Sequence, residues 1–424
     1  MKKTVIAALA LCGAGAALAQ SQPAAPAAPA NTSKVQLSGV VDVAYRHTTN
    51  EGADQGGLNR MMGGGMSQSR LEFTIEEDMG SGTKALAYLE HRLNADSGEK
   101  DIKPVPAPFF QLSYVGLQGP YGRLTMGRQW NVLFDVVTST YASFPYSPYM
   151  DAYKPELGMA MGARTSNSLK YVIANADRSL AAGLQYSFGE NNEVKDKPLI
   201  DLLKPGAQEE LVSQLEGPIQ NYGGFVRYSK DGISVGGGYM NFKLPGGTKV
   251  DAFTLGGSYK VGALYLNAGY GQNKVKNPFN ATVPSMADAV LLSTYWSGQT
   301  NGGFMPGPTI YDFDSGTLQP QNVGQVGNSA SKREMFKIGF GYQVTPQINA
   351  GAHYFHAKQS GSANGVYNGN ANFFVTAVDY AFSKRTDAYA AIDYTKVSGG
   401  DGMTIDKFGA RSRTGFTVGL RHRF

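Results

Sequence analysis

Apolar and polar side chains alternate with a period of two from about residue 35 to the C-terminus. In the first such segment, Val35, Leu37 and Val41 share one face, and Gln36 and Asp42 share the other. Successive side chains of a β-strand point to opposite faces, so the pattern predicts strands with one apolar and one polar face. Later segments keep the apolar face, and their opposite face is repeatedly charged.

Sixteen segments of this kind, each about ten residues long, can be counted in the chain. They run over 35–46, 69–78, 83–93, 109–118, 121–129, 164–174, 179–188, 220–230, 231–242, 250–260, 261–272, 334–344, 347–358, 370–382, 385–397 and 412–424. A tilted transmembrane strand needs about 9–11 residues. A soluble β-sandwich or barrel is disfavoured, because soluble strands average about 5–6 residues and two apolar faces would be needed to form its core.

The connections between these segments alternate in length. Short turns such as Asp231-Gly232 and Thr345-Pro346 separate longer pieces. The longer pieces lie at 47–68, 94–108, 130–163, 189–219, 243–249, 273–333, 359–369 and 398–411. Successive antiparallel strands place odd and even connections at opposite ends of a sheet. One end therefore has short turns and the other has long loops, as in outer-membrane barrels. An even strand number also lets the last strand pair with the first, which removes both exposed edges.

The N-terminus predicts export. A basic start, an apolar run and small residues before Gln20 define a signal peptide over 1–19, and the only cysteine, Cys12, lies inside it. Residues 20–34 form an Ala- and Pro-rich tail, and 35–424 form the barrel domain. Removing Lys2 and Lys3 lowers the formal net charge from +5 to about +3, which predicts no nucleic-acid or other polyanion partner. Beyond the signal peptide no run of about 18 apolar residues occurs, so helical membrane spans are excluded.

Several short motifs now give the chain a family resemblance. They are Leu37–Asp42, Ser69–Leu71, Val115–Leu117, Gly122–Gln129, Asn167–Tyr171, Ser383–Thr386 and Gly419–Phe424. With these motifs the chain resembles the trimeric general porins of the β-proteobacterial outer membrane. The resemblance implies a transmembrane antiparallel β-barrel of 16 strands whose third outer loop folds into the lumen. It implies passage of small hydrophilic solutes and ions without a cofactor. It further implies a homotrimer among outer-membrane lipid and lipopolysaccharide, assembled by the barrel assembly machinery through Phe424.

The resemblance also implies a pore constriction between Gly127 and Lys170. An arginine ladder on the barrel wall would face acids on the loop. The ladder positions are Arg70, Arg128 and Arg164, and alternation places Lys170 on the face of Arg164. The loop acids are Asp135 and, more weakly, Asp151 and Glu156. Glu90 is expected in the lumen with Lys84 and Arg92. Guanidinium groups offer hydrogen-bond donors to carboxylate or phosphate solutes, so the channel is expected to prefer anions mildly.

The constriction loop departs from the family pattern in being long and aromatic. Its possible contact residues include Trp130, Phe134, Tyr141 and Tyr146. These rings could bind a sugar or an aromatic solute, which would make the protein a solute-specific porin. Alternatively they pack the loop against the barrel wall.

Other function classes leave weak signals. Gly232–Gly236 fits G-x-S-x-G, but Ser234 lies in an alternating strand rather than in the strand-turn-helix elbow that a hydrolase needs. His353 and His356 fall on opposite faces of a strand and cannot chelate one ion. Asp312 and Asp314 lack the other ligands of a calcium loop. An outer-membrane barrel enzyme and a plugged structural barrel or adhesin are therefore the lesser alternatives, and no metal site is expected.

Overall fold

The computed structural model describes residues 33–52, 54–99, 109–143, 155–160, 164–189, 220–243, 249–276, 311–312, 317–318, 331–362, 365, 367–405 and 408–424. The predicted signal peptide and all but the end of the tail lie outside these residues, as do Tyr146 and Asp151 of the loop.

One antiparallel sheet accounts for nearly all of the described chain. Its strands are β1 (Ser33–Glu51), β2 (Gly56–Gly63), β3 (Arg70–Gly80), β4 (Thr83–Arg92), β5 (Leu112–Gly119), β6 (Gly122–Trp130), β7 (Arg164–Ala174), β8 (Leu180–Ser187), β9 (Gln220–Lys230), β10 (Ile233–Lys243), β11 (Lys249–Val261), β12 (Leu264–Lys276), β15 (Lys332–Gln343), β16 (Ile348–Ser360), β17 (Gly369–Ala381), β18 (Thr386–Gly399) and β19 (Ser412–Arg423). A separate pair consists of β13 (Tyr311–Asp312) and β14 (Thr317–Leu318).

The sheet closes on itself and confirms the predicted 16-stranded barrel. β1 pairs with β19 from Val40 opposite Arg423 to Thr48 opposite Gly415. On its other edge, β1 pairs with β3 through its first half and with β2 through its second half. β2 and β3 therefore occupy one position in the barrel, which gives sixteen positions, and closure leaves no edge between the first and last strands.

The second position differs from the sequence prediction. Residues 47–68 were expected to form an outer connection, but most of them continue β1 and return as β2. The interruption falls at Gly63-Gly64-Gly65, where Gly64 has a φ of +102°. Because only glycine adopts such a φ without steric cost, the chain leaves the ladder there and rejoins it at Arg70. Alternation alone could not reveal this hairpin, since its polar and apolar sides are mixed.

The two faces of the barrel are chemically distinct. Outward positions are apolar and exposed, for example Leu37, Val226 and Leu420. Inward positions are polar and often buried, for example Arg46, Thr417 and Arg421. Transmembrane barrels have this arrangement because their outer face contacts lipid and their interior is polar. No helix among the described residues is long and apolar enough to cross a membrane.

Candidate pore constriction

The loop that follows β6 turns into the barrel through short helical segments. These are α1 (Val132–Val136), a π-helical turn (Val137–Tyr141) and α2 (Pro155–Met159). Asn131 caps α1, because its Oδ1 accepts a hydrogen bond from the backbone N–H of Phe134 at 2.8 Å. The same side chain donates to the carbonyl of Ala160 at 3.0 Å, so it joins the two ends of the loop.

The inner wall that receives the loop carries glycines at several inward positions. They are Gly236 and Gly238 on β10, Gly256 on β11, and Gly269 and Gly271 on β12. A Cβ added at any of these glycines would approach Thr140, Leu133, Tyr141 or Met159 of the loop. The absent side chains thus leave a shallow slot, in which the ring of Tyr141 lies against Gly256 and Gly269. Tyr141 is fully buried and bonds to the hydroxyl of Thr254, and burial raises the pKa of its phenol.

A buried lysine on β15 fastens the loop from the side. Lys337 Nζ donates to the carbonyl of Tyr141 at 2.5 Å and to Ser143 Oγ at 2.6 Å, and it forms an ion pair with Glu156. Glu156 also accepts bonds from the backbone N–H of Ser143 at 2.8 Å and from its hydroxyl at 2.7 Å. Lys337 has no exposed surface. Glu156 compensates its charge, and its bonds to Tyr141 and Ser143 on one side and to Glu156 on the other join two parts of the same loop.

A second lysine holds the beginning of the loop. Lys170 on β7 donates to the carbonyl of Trp130 at 3.0 Å and to the carboxylate of Asp135 at 2.7 Å. The backbone N–H of Val132 donates to Gln185 Oε1 on β8 at 3.0 Å. Because Lys170 and Gln185 are inward residues, these contacts place the loop in the lumen.

A cluster of arginines surrounds Glu90 beside the start of the loop. The carboxylate of Glu90 lies 2.8 Å from Arg92, 3.5 Å from Arg164 and 4.0 Å from Arg70. Glu72, opposite Glu90 on the neighbouring strand, lies 2.5 Å from Arg70, so three cations meet two acids and an excess of one positive charge remains. Lys84, which the sequence placed with Glu90, instead pairs with Glu76 at 3.4 Å.

The indole of Trp130 lies under this cluster. The guanidinium carbon of Arg164 is 4.3 Å from the ring centroid and that of Arg92 is 5.8 Å. Phe134 packs against the same indole with ring centroids 4.6 Å apart. Cation–π contact and ring packing together fix the side chains at the loop entrance.

Arg128 is not brought together with Arg70 and Arg164. The ladder between β5 and β6 pairs Arg128 with Ser113 and Met126 with Val115, and Met126 and Val115 are exposed on the outer face. The Arg128 guanidinium donates to the carbonyl of Gln111 at 3.1 Å and to Ser166 Oγ at 2.7 Å. Regular alternation along β6 thus places it on the face opposite to the lumen.

The wall formed by β18, β19 and β1 carries residues that the motif comparison did not select. Arg46 and Asp393 form a fully buried pair at 2.7 Å, and Arg421 lies 2.9 Å from Asp387. Their only sequence signal was charge at inward positions of neighbouring strands.

Asp42 anchors the inward turn between β2 and β3. It accepts the backbone N–H groups of Gly65, Met66 and Ser67 at 3.2, 3.0 and 2.7 Å, and the hydroxyl of Tyr389 at 2.5 Å. Successive amides around one carboxylate form an anion nest. The sequence had indicated only that Asp42 faces inward.

The residues that the sequence offered for catalysis or metal binding make ordinary contacts within the barrel. Ser234 lies within β10 and donates to the carbonyl of Ser139 at 3.3 Å. His353 faces inward beside Asn267, whereas His356 bonds to Asn372 on the outer side. The described residues contain no group of three side chains suited to hold a metal ion. Asp314 lies outside the described part of the chain.

A closed barrel with an apolar outer face, a polar lumen and a loop anchored inside it defines a channel-forming membrane protein. The profile of the Gram-negative porin family matches residues 4–400. The chain therefore belongs to the Gram-negative porin family and forms a channel in the outer membrane.

Individual relatives agree with this assignment. Outer membrane porin protein 32 of Delftia acidovorans is 28% identical over 293 residues, which cover 67% of this chain and 73% of that protein. The solved anion-selective porin from Comamonas acidovorans has a TM-score of 0.62 at 21% identity and covers 93% of this chain and 100% of that one. The trimer form of OmpT from Vibrio cholerae has a TM-score of 0.57 at 13% identity, with 93% and 100% coverage. At these identities the two structures support the fold alone.

Proposed function

We propose that this porin is a homotrimeric channel for passive diffusion of small hydrophilic solutes and ions, with a mild preference for anions. The observation that carries the proposal is the arginine cluster around Glu90, which lies beside a loop fixed within the lumen. Arg70, Arg92 and Arg164 face two acids there, Glu90 and Glu72, which leaves one positive charge in excess. Excess positive charge at a narrow, low-dielectric passage favours anions over cations.

The charge of the wider lumen supports the same sign. Among the described strands, inward basic residues outnumber inward acidic ones. The basic residues are Lys34, Arg46, Arg60, Arg70, Lys84, Arg92, Arg123, Arg164, Lys170, Arg227, Lys260, Arg333, Lys337, Arg413, Arg421 and Arg423. The acidic residues are Asp42, Glu72, Glu76, Asp78, Glu90, Asp379, Asp387 and Asp393. Buried ion pairs cancel some of these charges, so the preference is mild. The name of the Comamonas acidovorans porin, anion-selective, is consistent with this sign, and the OmpT trimer supports the assembly.

Planar-bilayer recording tests the proposal. Purified protein should insert in groups of three equal conductance steps. In a salt gradient the reversal potential should indicate anion preference. A reversal potential of the opposite sign would overturn the selectivity, and a silent protein would overturn the channel.

The loop is the constriction in this proposal. Deleting residues 141–161 removes Tyr141, Ser143 and Glu156, which are the loop residues that Lys337 contacts. The deletion should widen the passage and raise single-channel conductance. Unchanged conductance would mean that the loop does not limit the current.

The aromatic residues of the described loop favour packing over recognition. Tyr141 and Phe134 are buried against the wall, and Trp130 is only partly buried beneath Arg164. The proposal is therefore a general porin rather than a solute-specific one. Block of the current by low concentrations of one sugar or aromatic acid would reverse this choice.

Assembly belongs to the same proposal. Phe424 is exposed on the outer face and closes the barrel, because its backbone exchanges hydrogen bonds with Gly39 at 3.1 and 3.0 Å. We propose that the barrel assembly machinery recognises this terminal ring. Phe424→Ala should lower the amount of folded trimer in outer membranes while the purified variant still refolds in detergent.

A further inference from the structure

Two tyrosines and an arginine form a short row on the inner wall of the barrel, between the cluster around Glu90 and the short-turn end. They are Tyr88 on β4, Tyr114 on β5 and Arg123 on β6. Tyr88 shares the inward face of β4 with Glu90 and lies opposite Tyr114, and Arg123 lies opposite Gln118 on the same face of β5. Each side chain of the row is partly exposed, so the row borders the lumen. We call it the tyrosine–arginine row.

The members of the row hold one another in place. The rings of Tyr88 and Tyr114 are stacked, with centroids 5.5 Å apart and ring planes 23° from parallel. The guanidinium carbon of Arg123 lies 5.6 Å from the centroid of the Tyr114 ring, and one of its Nη groups donates to the Tyr114 hydroxyl at 3.0 Å. Ring stacking and cation–π contact are both favourable. The guanidinium is therefore oriented by neutral partners.

The protein does not compensate the charge of Arg123. Among the residues that the structure describes, Arg123 forms no ion pair, and its hydrogen bond to Tyr114 uses only part of its set of donors. Arg46 and Arg421 on the charged wall differ in this respect, since each lies within 3 Å of an aspartate. A guanidinium that is held in one orientation and keeps further donors is suited to bind a carboxylate through two parallel hydrogen bonds.

The tyrosines determine which carboxylates fit best. An aliphatic acid would contact the guanidinium alone, whereas a flat ring would also pack against the partly exposed ring of Tyr114. The row lies next to the positive cluster around Glu90, so an anion that has passed the constriction reaches a second positive group at Arg123. Between these two positive places, the wall offers aromatic surface to the body of the solute.

We infer that the tyrosine–arginine row is a subsite for small aromatic carboxylates. The inference rests on the proposed function, because it names a class of solute for the same channel. The rings of the row belong to the wall and not to the loop, so a solute bound there leaves the constriction itself unchanged. Conduction requires binding weak enough for the solute to leave, and the dissociation constant is expected in the millimolar range, which suits a channel that also passes other solutes.

Saturation-transfer difference NMR on the full-length protein in lipid nanodiscs tests the inference, with empty nanodiscs as the blank. The two probes are benzoate and cyclohexanecarboxylate. They carry the same charge and are similar in size, but only benzoate has a flat aromatic ring. Wild-type protein should bind benzoate about two- to tenfold more tightly than cyclohexanecarboxylate. Equal affinity for the two acids would overturn the inference.

The role of the arginine is tested by a matched pair of variants. Arg123→Gln should weaken the binding of both acids about tenfold, because charge-assisted hydrogen bonds are lost. Arg227→Gln is the control. Arg227 on β9 is also inward and partly exposed and forms no ion pair among the described residues, but no ring of the described chain stacks on it. Equal weakening by the two variants would overturn the inference, since general lumen charge would then attract the acids.

The role of the ring is tested at Tyr114. Tyr114→Leu removes the ring and should bring the ratio of the two affinities to about one. Tyr114→Phe keeps the ring and removes the hydroxyl that contacts Arg123, so it should keep the preference for benzoate. A preference that persists in Tyr114→Leu would overturn the inference. Because binding is measured without a current, a conducting protein with no preference would contradict this inference alone, and a silent protein would contradict the channel proposal.

Discussion

The inner wall of β10 to β12 and the inner wall of β18, β19 and β1 lie in the same barrel but are filled differently. The first presents glycines, including Gly256 and Gly269, and the side chains that cover them come from the loop. The second presents large charged residues that cover one another, such as Arg46 with Asp393.

The difference shows how a barrel wall accommodates a loop. We call the inward glycines of β10 to β12 and the side chains around them the loop seat. Where the wall receives the loop, glycine occupies inward positions, so apolar side chains such as Tyr141 and Leu133 lie directly against the backbone of the strands. The wall of β18, β19 and β1 receives the short inward turn between β2 and β3 and fills its other inward positions with charged groups that pair with one another. The loop seat therefore depends on shape and on one buried cation, whereas the charged wall depends on many polar contacts.

The largest effect is expected at that buried cation. Lys337→Met removes the partner of Glu156 and leaves its carboxylate buried and uncompensated, which costs about 3–5 kcal/mol. Urea unfolding in lipid vesicles should show this loss, and single-channel conductance should rise as the loop is released. Lys332→Met on the outer face of the same strand removes an exposed pair worth about 0–1 kcal/mol and is the control. Equal effects of the two variants would mean that Lys337 does not hold the loop.

The glycine slot should be the next most sensitive feature. Gly269→Val places atoms where the Tyr141 ring lies, and overpacking of this kind costs about 1–3 kcal/mol. The variant should unfold at lower urea and show a noisier current. Adding Tyr141→Ala should relieve the clash, so the double variant should be less destabilised than the sum of the single changes.

Gly237→Val is the matched control for the slot. Gly237 lies on the outer face of β10, where an added Cβ would meet its nearest atoms at ordinary contact distances of 3.4 Å. A current as noisy as that of Gly269→Val would show that any β-branched residue disturbs this sheet, and the slot would lose its significance.

Most of the fold follows from local sequence pattern. Alternation predicts which side chains share a face of a strand, and turn residues such as Asp231-Gly232 predict where strands end. Both signals depend only on residues that are adjacent in the sequence. The sixteen barrel positions and the inward faces of Arg70, Glu90 and Lys170 could be predicted for this reason. The hairpin of β1 and β2 could not, because its polar and apolar sides are mixed and alternation does not reveal it.

The site was less accessible to sequence reasoning. The pairing of Lys337 with Glu156 joins residues that are 181 positions apart, and no local pattern encodes it. Arg128 was selected by its motif, although alternation from Met126 already placed it on the outer face. Inward glycines recurring at alternate positions, as in Gly236 and Gly238, were the available signal for the loop seat.

The nest on the charged side should give an intermediate effect. Asp42→Asn keeps one carbonyl acceptor for the amides of 65–67 but loses the charge that strengthens those bonds, a loss of about 1–1.5 kcal/mol. Urea unfolding should detect it, and conductance should change little because the loop seat is intact. Thr74→Ala, on the inward face of β3 but remote from the nest, should leave stability nearly unchanged. A conductance change as large as that of Lys337→Met would contradict the separation of the two walls.

The smallest effect on conductance, and the sharpest test of selectivity, concerns Glu90. Glu90→Gln keeps the size of the side chain and removes the acid that lies among Arg70, Arg92 and Arg164, while Glu72 stays paired with Arg70. Conductance steps should keep their size, since the loop contacts are untouched. The reversal potential in a salt gradient should move toward that of a more anion-selective pore, because fixed charge at the constriction sets the local ion concentrations. High ionic strength should diminish the shift by screening.

Glu76→Gln separates charge at the constriction from charge anywhere in the lumen. Glu76 is also inward, but it lies near the short turn after β3, is partly exposed and pairs with Lys84 at 3.4 Å. Removing it changes the net charge by the same amount at a wider, more screened place, so its shift in reversal potential should be smaller. Equal shifts would mean that total lumen charge governs selectivity, and the cluster beside the loop would then have no special role.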